Sequence, residues 1–190
     1  MTDLAGASII VLGATGGLGR EFARQLADAG ALLTLTGRSM LALDDLDIAG
    51  AALIPADLTE PGDAKKVVAA ALTAHGRLDG IIVASGAVAF GPLAETADET
   101  LDALWAINVL APLRVLRAAA PALAESATGG GSPFVVSISG VVAETPTAGI
   151  GAYSAVKAAQ AAAHQVAARE LRRAGIRVMD ARPGHTETDL

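Results

Sequence analysis

Tyr153 and Lys157 are the two side chains in this sequence best suited to moving a proton. They lie four residues apart, so a helix would place them on one face. A free phenol has a pKa of about 10, so it is a poor base at neutral pH. A neighbouring ammonium favours the phenolate and so lowers the pKa of the tyrosine. Taken alone, the spacing also fits an ordinary surface pair, so its interpretation depends on the rest of the chain.

A glycine-rich turn near the N-terminus offers backbone amides to an anion. It lies between a short apolar run and a helical pattern. Glycines permit a tight turn and a close approach of a diphosphate, whose charge is favoured at a helix N-terminus. This strand–turn–helix setting predicts a dinucleotide site, and a turn that merely packs is the alternative. The predicted contacts are Gly13, Thr15, Gly16, Gly17, Leu18 and Gly19.

The residue after the second predicted strand indicates which dinucleotide binds. NAD sites usually have an acidic residue there, which binds the adenosine ribose 2′-hydroxyl. This chain has Gly37 followed by Arg38, and a guanidinium suits a 2′-phosphate. The sequence therefore predicts NADP(H) in preference to NAD(H), with an ordinary solvated arginine as the alternative for Arg38.

Short apolar runs alternate with helical patterns along the chain. Uniformly apolar strands joined by helices are typical of a parallel sheet covered on both faces. We expect one Rossmann-type α/β domain over residues 1–190, a doubly wound parallel sheet of strand order 3-2-1-4-5-6 in a three-layer α/β/α arrangement, with ligands at the carboxyl ends of the strands. The predicted strands are Ser8–Leu12, Leu32–Thr36, Ala52–Pro55, Gly80–Ala84, Phe134–Ile138 and Ile176–Asp180.

The helical patterns cover residues 17–29, 61–75, 98–125 and 152–174, with a short and poorly defined helix between the second and third strands. Pro112 lies inside the third of these patterns. Because proline removes a helical hydrogen bond and clashes with the preceding turn, we expect a kink there.

Composition and charge exclude several classes of function. The chain has a net charge of −6 and no basic cluster, which argues against nucleic acid as a partner. It has no cysteine, which excludes thiolate metal sites and fits a cytoplasmic protein. The three histidines lack ligand spacing, so no metal is expected. We also expect a soluble protein with no signal peptide and no membrane span.

Together, these motifs resemble those of the short-chain dehydrogenase/reductase family over essentially the whole chain. Gly13, Gly17 and Gly19 match its glycine pattern, and Tyr153 and Lys157 match its Tyr-x-x-x-Lys pair. The glycine turn also fits the longer, sugar-nucleotide branch of the family, but the other motifs and the short length favour the shorter branch. Those other matches are Asp57-Leu58, Ser85-Gly86, Asn108, and Pro183-Gly184 through Thr188.

The resemblance implies an oxidoreductase that interconverts a carbonyl and an alcohol on a small organic substrate. Tyr153 would give a proton to the carbonyl oxygen as hydride arrives, and Lys157 would bind the nicotinamide ribose and depress the tyrosine pKa. Asn108 would bend the long helix and hold a water in a proton relay. Asp57 would hold the adenine ring, and Thr188 would lie beside the nicotinamide. Singly, Asp57 could be a helix-capping or turn residue and Asn108 a polar interruption in a helix, but their joint order favours the functional interpretation.

The chain departs from the family pattern where the catalytic serine is expected, thirteen residues before the tyrosine. That position is Gly140, and the preceding residue is Ser139. Neighbours on a strand point to opposite faces, so Ser139 would need a bulge to take over the role. Losing one such donor costs about 10²–10³ in rate at comparable sites. Two hypotheses follow: a working reductase in which Ser139, a water or a substrate group fills the role, and a dinucleotide-binding sensor or partner subunit with weak or no turnover.

Further departures concern the C-terminus and the fourth strand. Val83-Ala84 stands where the family usually has two asparagines. Relatives usually continue beyond the position of Leu190 with a lid and a further strand, so either the site is unusually open or the sequence is part of a longer chain. The helix after Tyr153 is rich in alanine. The resemblance implies a homodimer or homotetramer through paired long helices, unless these alanines face only their own sheet.

Overall fold

The structure is a computed structural model that describes residues 4–184. Six strands form one parallel sheet in the order β3-β2-β1-β4-β5-β6. The predicted Rossmann-type topology is therefore confirmed, and the strand order reverses between β1 and β4. The strands are β1 (Ser8–Leu12), β2 (Leu32–Gly37), β3 (Ala52–Pro55), β4 (Gly80–Val83), β5 (Phe134–Ile138) and β6 (Arg177–Ala181).

Helices connect successive strands and cover both faces of the sheet. Residues of β1 alternate between the faces: Ile10 and Leu12 pack with α3 and α5, whereas Ile9 and Val11 pack with α1 and α2. This alternation makes β1 the centre of two apolar cores. The helices are α1 (Gly17–Asp28), α2 (Met40–Asp44), α3 (Asp63–His75), α4 (Asp98–Trp105), α5 (Ala111–Thr128) and α6 (Gly151–Leu171).

The long predicted helix is interrupted, although not at Pro112 itself. A π-helical turn, Ala106–Leu110, separates α4 from α5, and Pro112 lies in the first turn of α5. The physical reason is local, because proline has no amide to donate to the carbonyl four residues earlier, which belongs to Asn108. The predicted interruption is real, but it is centred on Asn108.

The same helical run raises the question of a membrane. Asp98–Thr128 is long and apolar enough to cross a bilayer by length and composition alone. One face of it, through Val115, Ala119 and Leu123, is instead buried in the core that includes Ile10. The core helix of a soluble protein passes the same test, so one such helix is weak evidence for a membrane span.

Candidate active site

The turn between β1 and α1 is too closely wound to hold side chains at two of its glycines. Gly13 has a φ of +74°, and a Cβ there would lie 2.8 Å from the backbone nitrogen of Ser85. A Cβ on Gly19 would collide with the carbonyl oxygen of Gly13. Glycine is therefore required at both positions, by backbone conformation at Gly13 and by close backbone approach at both.

The N-terminus of α1 follows this turn with its first amides uncapped. The N-cap residue is Gly16, which has no side chain to accept a hydrogen bond from the first turn. These amides and the positive end of the helix dipole are therefore suited to an anion. Gly37 at the end of β2 allows Thr15 to approach closely, since a Cβ on Gly37 would lie 2.9 Å from Thr15 Cγ2.

Arg38, which follows β2, and Asp57, which follows β3, line the same cavity as the glycine turn. The carboxylate of Asp57 accepts hydrogen bonds from the hydroxyl of Thr59 at 2.7 Å and from its backbone amide at 3.0 Å. These bonds lower the pKa of Asp57, burial opposes them in part, and the charge of Arg38 adds a smaller lowering. Asp57 thus does hold a turn, as the simpler interpretation had it, while remaining exposed beside a guanidinium.

Most of the predicted site residues line one groove along the carboxyl ends of the strands. It consists of two adjoining cavities of about 640 and 630 Å³. The first holds the glycine turn, Arg38 and Asp57-Leu58, and the second holds Tyr153, Lys157 and Pro183-Gly184. Both are lined by Leu18, Ala84, Ser85, Gly86 and Ala87.

Among residues 4–184, two predicted site residues, Gly19 and Asn108, do not line the groove. Gly19 is buried behind the turn, where it allows the chain to close. The predicted residue Thr188 lies outside the described residues.

Tyr153 and Lys157 lie on the same face of α6, with Nζ 5.6 Å from the centroid of the phenol ring. Burial raises the pKa of Tyr153, which is the opposite of the lowering expected from the sequence. The ammonium that was expected to oppose burial is bound to other acceptors: Nζ donates to the carbonyl oxygen of Ile138 at 2.8 Å and to Oε1 of Gln160 at 3.0 Å. Burial also lowers the pKa of Lys157 to about 8, against the opposing charge of Asp180.

Asn108 is completely buried in the π-helical turn. Its Nδ2 donates to the carbonyl oxygens of Ala87 and Leu104, both at 3.0 Å. Its Oδ1 is buried with no hydrogen-bond partner among residues 4–184. A Cβ on Gly86 would lie 2.9 Å from this oxygen and 3.6 Å from Nζ of Lys157. The amide oxygen and the ammonium therefore border the same space beside Gly86.

The position of the expected serine is open but strained. Gly140 has φ +87° and ψ 162°, a conformation that glycine tolerates and other residues rarely adopt. A Cβ there would have 3.8 Å to its nearest neighbours, the Pro183 carbonyl oxygen and Val142. The hydroxyl of Ser139 is fully buried and donates to Oδ2 of Asp180 at 2.8 Å. Ser139 lines the second cavity, but its hydroxyl is bound to Asp180, so its role as a replacement for the serine stays a prediction.

Several polar residues near the site were not singled out from the sequence. Gln160 stands in an alanine-rich helix one turn after Lys157, and this spacing was the available signal. Asp180 gave no such signal, because it is 41 residues from Ser139 and reaches it only through strand pairing. Asp180 also accepts from Arg182, which in turn pairs with Glu144.

The wall of the second cavity away from Lys157 is apolar. It is formed by two loops, one after β4 and one between β5 and α6. The loops are joined by a hydrogen bond from the amide of Gly91 to the carbonyl oxygen of Gly149 at 2.7 Å and by a parallel bridge between Gly91 and Ile150. The apolar lining residues are Val88, Phe90, Val141, Val142 and Ile150.

The sheet order, the backbone cradle and the groove at the carboxyl edge define a dinucleotide-binding α/β protein. Within that class the chain belongs to the short-chain dehydrogenase family, whose model, described as short chain dehydrogenase, matches residues 7–190. An uncharacterized oxidoreductase of Mycobacterium tuberculosis is 41% identical over 175 residues, covering 90% of this chain and 64% of that relative. The chain thus spans less than two thirds of that relative's length.

Solved structures of the family are also similar. A 3-ketoacyl-(acyl-carrier-protein) reductase from Brucella melitensis, complexed with NADH, has a TM-score of 0.94 at 25% identity, covering 98% of this chain and 79% of that one. A metagenomic short-chain oxidoreductase in complex with NADP has a TM-score of 0.88 at 32% identity, covering 97% of this chain and 85% of that one. Both coenzymes therefore occur among proteins with this fold.

Proposed function

We propose that this chain binds NADP(H) and interconverts a carbonyl and an alcohol on a small organic substrate by hydride transfer. The observation that carries the proposal is the joining of two arrangements in one groove. A backbone cradle lies in one cavity, the Tyr153–Lys157 pair lies in the other, and Ser85 and Gly86 line both. We take residues 1–190 as a single dinucleotide-binding domain that includes the catalytic pair.

The residues present fit a dinucleotide. The side-chain-free turn at Gly13 and Gly19 leaves room for a diphosphate, and the uncapped N-terminus of α1 supplies donors. Two buried polar atoms, Ser85 Oγ and Asn108 Oδ1, have no hydrogen-bond partner among the described residues. Buried polar groups are normally satisfied, so such atoms beside the groove favour a polar ligand. When bound, the coenzyme supplies the hydride.

The chain's own residues handle the proton. In the direction of reduction, Tyr153 donates its phenolic proton to the substrate oxygen. Burial raises the pKa of this phenol, so the protonated form needed for that direction is present at neutral pH. Lys157 has three ammonium donors, of which two are used by Ile138 and Gln160. The third has no partner among residues 4–184 and is available to a ribose hydroxyl. We assign to Asn108, beside it, the water of the relay.

The preference for NADP(H) rests on Arg38, which is exposed at the cavity that would hold the adenosine. A titration of the chain with NADPH and NADH tests it. We expect tighter binding of NADPH and a loss of about tenfold on Arg38→Ala, the equivalent of one charge-assisted contact of roughly 1.4 kcal/mol. NADH binding should be unchanged. Arg173→Ala, at an exposed arginine in the turn that follows α6, is the matched control. Equal binding of both coenzymes contradicts the preference.

One observation favours a second candidate, a dinucleotide-binding protein with weak or no turnover. Gly140 supplies no hydroxyl, and that of Ser139 is bound to Asp180. Oxidation of NADPH should be assayed against a panel of aldehydes, ketones and quinones. Turnover that Tyr153→Phe abolishes supports the enzyme; tight binding of NADPH without turnover of any substrate supports the sensor or partner subunit.

We also propose that the chain forms a homodimer or homotetramer and acts in the cytoplasm. The outer face of α4 and α5 exposes Leu101, Trp105 and Leu113, which suits pairing of long helices into a homodimer or homotetramer. In α6 the alanines divide, with Ala161 buried and Ala162 exposed. Light scattering that finds only a monomer at micromolar concentration contradicts this assembly. A cytoplasmic protein, acting on neither nucleic acid nor membrane, fits the acidic, cysteine-free chain.

A further inference from the structure

Gln160 is an unusual residue to find where it lies. It is 1% exposed and reaches β5 through its side chain, in a helix otherwise rich in alanine. Burying an amide costs free energy unless its hydrogen bonds are made. A side chain of this kind therefore needs a reason beyond filling space, which an apolar residue would do at lower cost.

The contacts of Gln160 connect it to the ammonium of Lys157. Its Oε1 accepts from Lys157 Nζ at 3.0 Å, and its Nε2 donates to the hydroxyl of Ser137 at 2.9 Å. The orientation of the amide is fixed by chemistry, because an ammonium can only donate and so must face the oxygen. Ser137 is fully buried on β5, so the amide is anchored to the sheet at one end and to the lysine at the other.

This anchoring determines where the remaining ammonium donor points. With two donors directed at Ile138 and Gln160, the tetrahedral nitrogen has one direction left, and Nζ borders the space beside Gly86. Without Gln160 the ammonium would keep a single fixed partner and could rotate about it. Its charged form would also lose an acceptor in a place where burial already disfavours charge.

Other titratable groups face Lys157, and they set the background for any test. From α6 these are the phenol of Tyr153 and the imidazole of His164, whose Nδ1 lies 2.8 Å from the backbone oxygen of Gln160. From β6 the carboxylate of Asp180 acts at longer range. The π-helical turn contributes Asn108, which is neutral. Among these residues Gln160 is the one that bonds the ammonium directly through a side chain.

We propose that Gln160 is a positioning residue, which keeps the ammonium of Lys157 charged and directs its third donor toward the nicotinamide ribose end of the groove. This role serves the protein only if the chain binds a nicotinamide coenzyme, so the inference rests on the proposed function. The contact itself is independent of that function and can be measured without coenzyme.

The composition of the chain makes this measurement direct. Its three lysines are Lys65, Lys66 and Lys157, and the first two are exposed on α3. With ¹³C-labelled lysine, the Cε resonances can be followed from pH 6 to pH 10. Lys157 is assigned through Lys157→Met, and the other two serve as internal references. The variants are Gln160→Met, which keeps length but removes the amide, and Gln160→Glu, which keeps the acceptor and adds charge. Gln165→Met, an exposed glutamine on the same helix, is the matched control.

We expect the midpoint of Lys157 to fall by about one pH unit in Gln160→Met, the usual size of a lost hydrogen bond to a charged group. It should rise in Gln160→Glu and stay unchanged in Gln165→Met. Affinity for NADPH at pH 7 should fall about tenfold in Gln160→Met and be retained in Gln165→Met. If Gln160→Met does not fold, Ser137→Ala, which removes the anchor of the amide, should give a smaller downward shift.

The result that overturns the proposal is a Lys157 midpoint, or an NADPH affinity, that neither Gln160→Met nor Ser137→Ala moves while the melting temperature falls. That pattern is the one a purely structural glutamine would give. A wild-type chain that binds neither NADPH nor NADH refutes the proposed function instead, and in that case the lysine midpoints alone decide whether Gln160 holds the ammonium.

Discussion

The amino and carboxyl edges of the sheet differ in how far each stabilises a buried charge. At the amino edge, Asp79 is 5% exposed and accepts hydrogen bonds from the amide of Ser8, the hydroxyl of Ser126 and the guanidinium of Arg77. Burial raises its pKa, but these bonds together outweigh burial and leave the pKa below its usual value. At the carboxyl edge, burial lowers the pKa of Lys157 to about 8, and its surroundings only partly oppose this.

The difference concerns what each edge is built for. The amino edge satisfies its charge from within the chain, so it stabilises the fold unaided. The carboxyl edge holds a disfavoured ammonium and several buried polar atoms without partners among residues 4–184, including Thr36 Oγ1, Ser85 Oγ and Asn108 Oδ1. At the amino edge the corresponding case is one neutral hydroxyl, that of Ser8. Polar groups kept at such a cost are characteristic of functional sites. Substitutions at the carboxyl edge should therefore affect chemistry, and substitutions at the amino edge should affect stability.

Tyr153→Phe should give the largest effect at the carboxyl edge. Removing the proton donor should lower kcat by about 10²–10⁴, the range typical of general acid catalysis. The ring packs with Val156 and Leu104 and is retained, so the melting temperature and the Kd for NADPH should hardly change. Steady-state kinetics and coenzyme titration measure both. Unchanged turnover in Tyr153→Phe would remove the tyrosine from the mechanism.

Substitutions at Gly140 test how much the missing hydroxyl limits turnover at the carboxyl edge. Gly140→Ser and Gly140→Ala share the backbone cost of leaving glycine at positive φ, about 1–3 kcal/mol, so their ratio isolates the hydroxyl. There is space for the side chain, with 3.8 Å to the nearest atoms. We expect kcat of the serine variant to exceed that of the alanine variant by up to about 10². Equal kcat values would mean that the site does not use a hydroxyl at this position.

Asp79→Ala should act on stability and spare the groove. It leaves the amide of Ser8 and the hydroxyl of Ser126 without their acceptor, at a cost of roughly 1–3 kcal/mol for each buried donor. Chemical denaturation measures this cost, with the exposed Asp44→Ala as control. Because the folded pKa of Asp79 lies below the unfolded one, its contribution is present at neutral pH and is lost as the pH falls through the folded pKa. The variant should therefore show a smaller loss of stability in acid, and a large change in NADPH affinity would argue against the division of roles.

The effect of Lys157→Met on the free energy of unfolding should depend on pH through the basic range instead of the acidic one. The folded pKa of Lys157 is about 8, below the unfolded value of roughly 10.4. Between these values the unfolded chain binds the extra proton, so wild-type stability gains a contribution that rises with pH. The free energy of unfolding of Lys157→Met, taken relative to that of the wild type, should accordingly fall by on the order of 2 kcal/mol from pH 8 to pH 10.5. A pH-independent difference between the two unfolding free energies would mean that the lysine is not disfavoured.

The fold could be predicted from the sequence because local signals agreed with one another. The apolar runs of β1, β3 and β5, bounded by glycine, proline and serine, have the predicted limits. The interruption of the long helix was expected from Pro112 and, by the family resemblance, at Asn108. It is centred on Asn108, because the carbonyl that loses its donor lies one turn before the proline.

The site could be predicted where backbone and motif define it, and less well where side chains from distant segments meet. The glycine turn and the Tyr153–Lys157 pair do line one groove. The pKa of Tyr153 moves opposite to expectation, since spacing shows that an ammonium is near but not which acceptors hold it. The partner of Ser139 depends on the pairing of β5 with β6, which is a tertiary contact.

The hydrogen bond between Gly91 and Gly149 has a consequence for motion. It links a loop that carries Phe90 to a loop that carries Val141, so neither can swing outward without breaking it. The two loops should open as one cooperative unit, and their amides should exchange with solvent at matched rates. A substrate that displaces one loop would then also move the other, so the width of the entrance is a property of the pair.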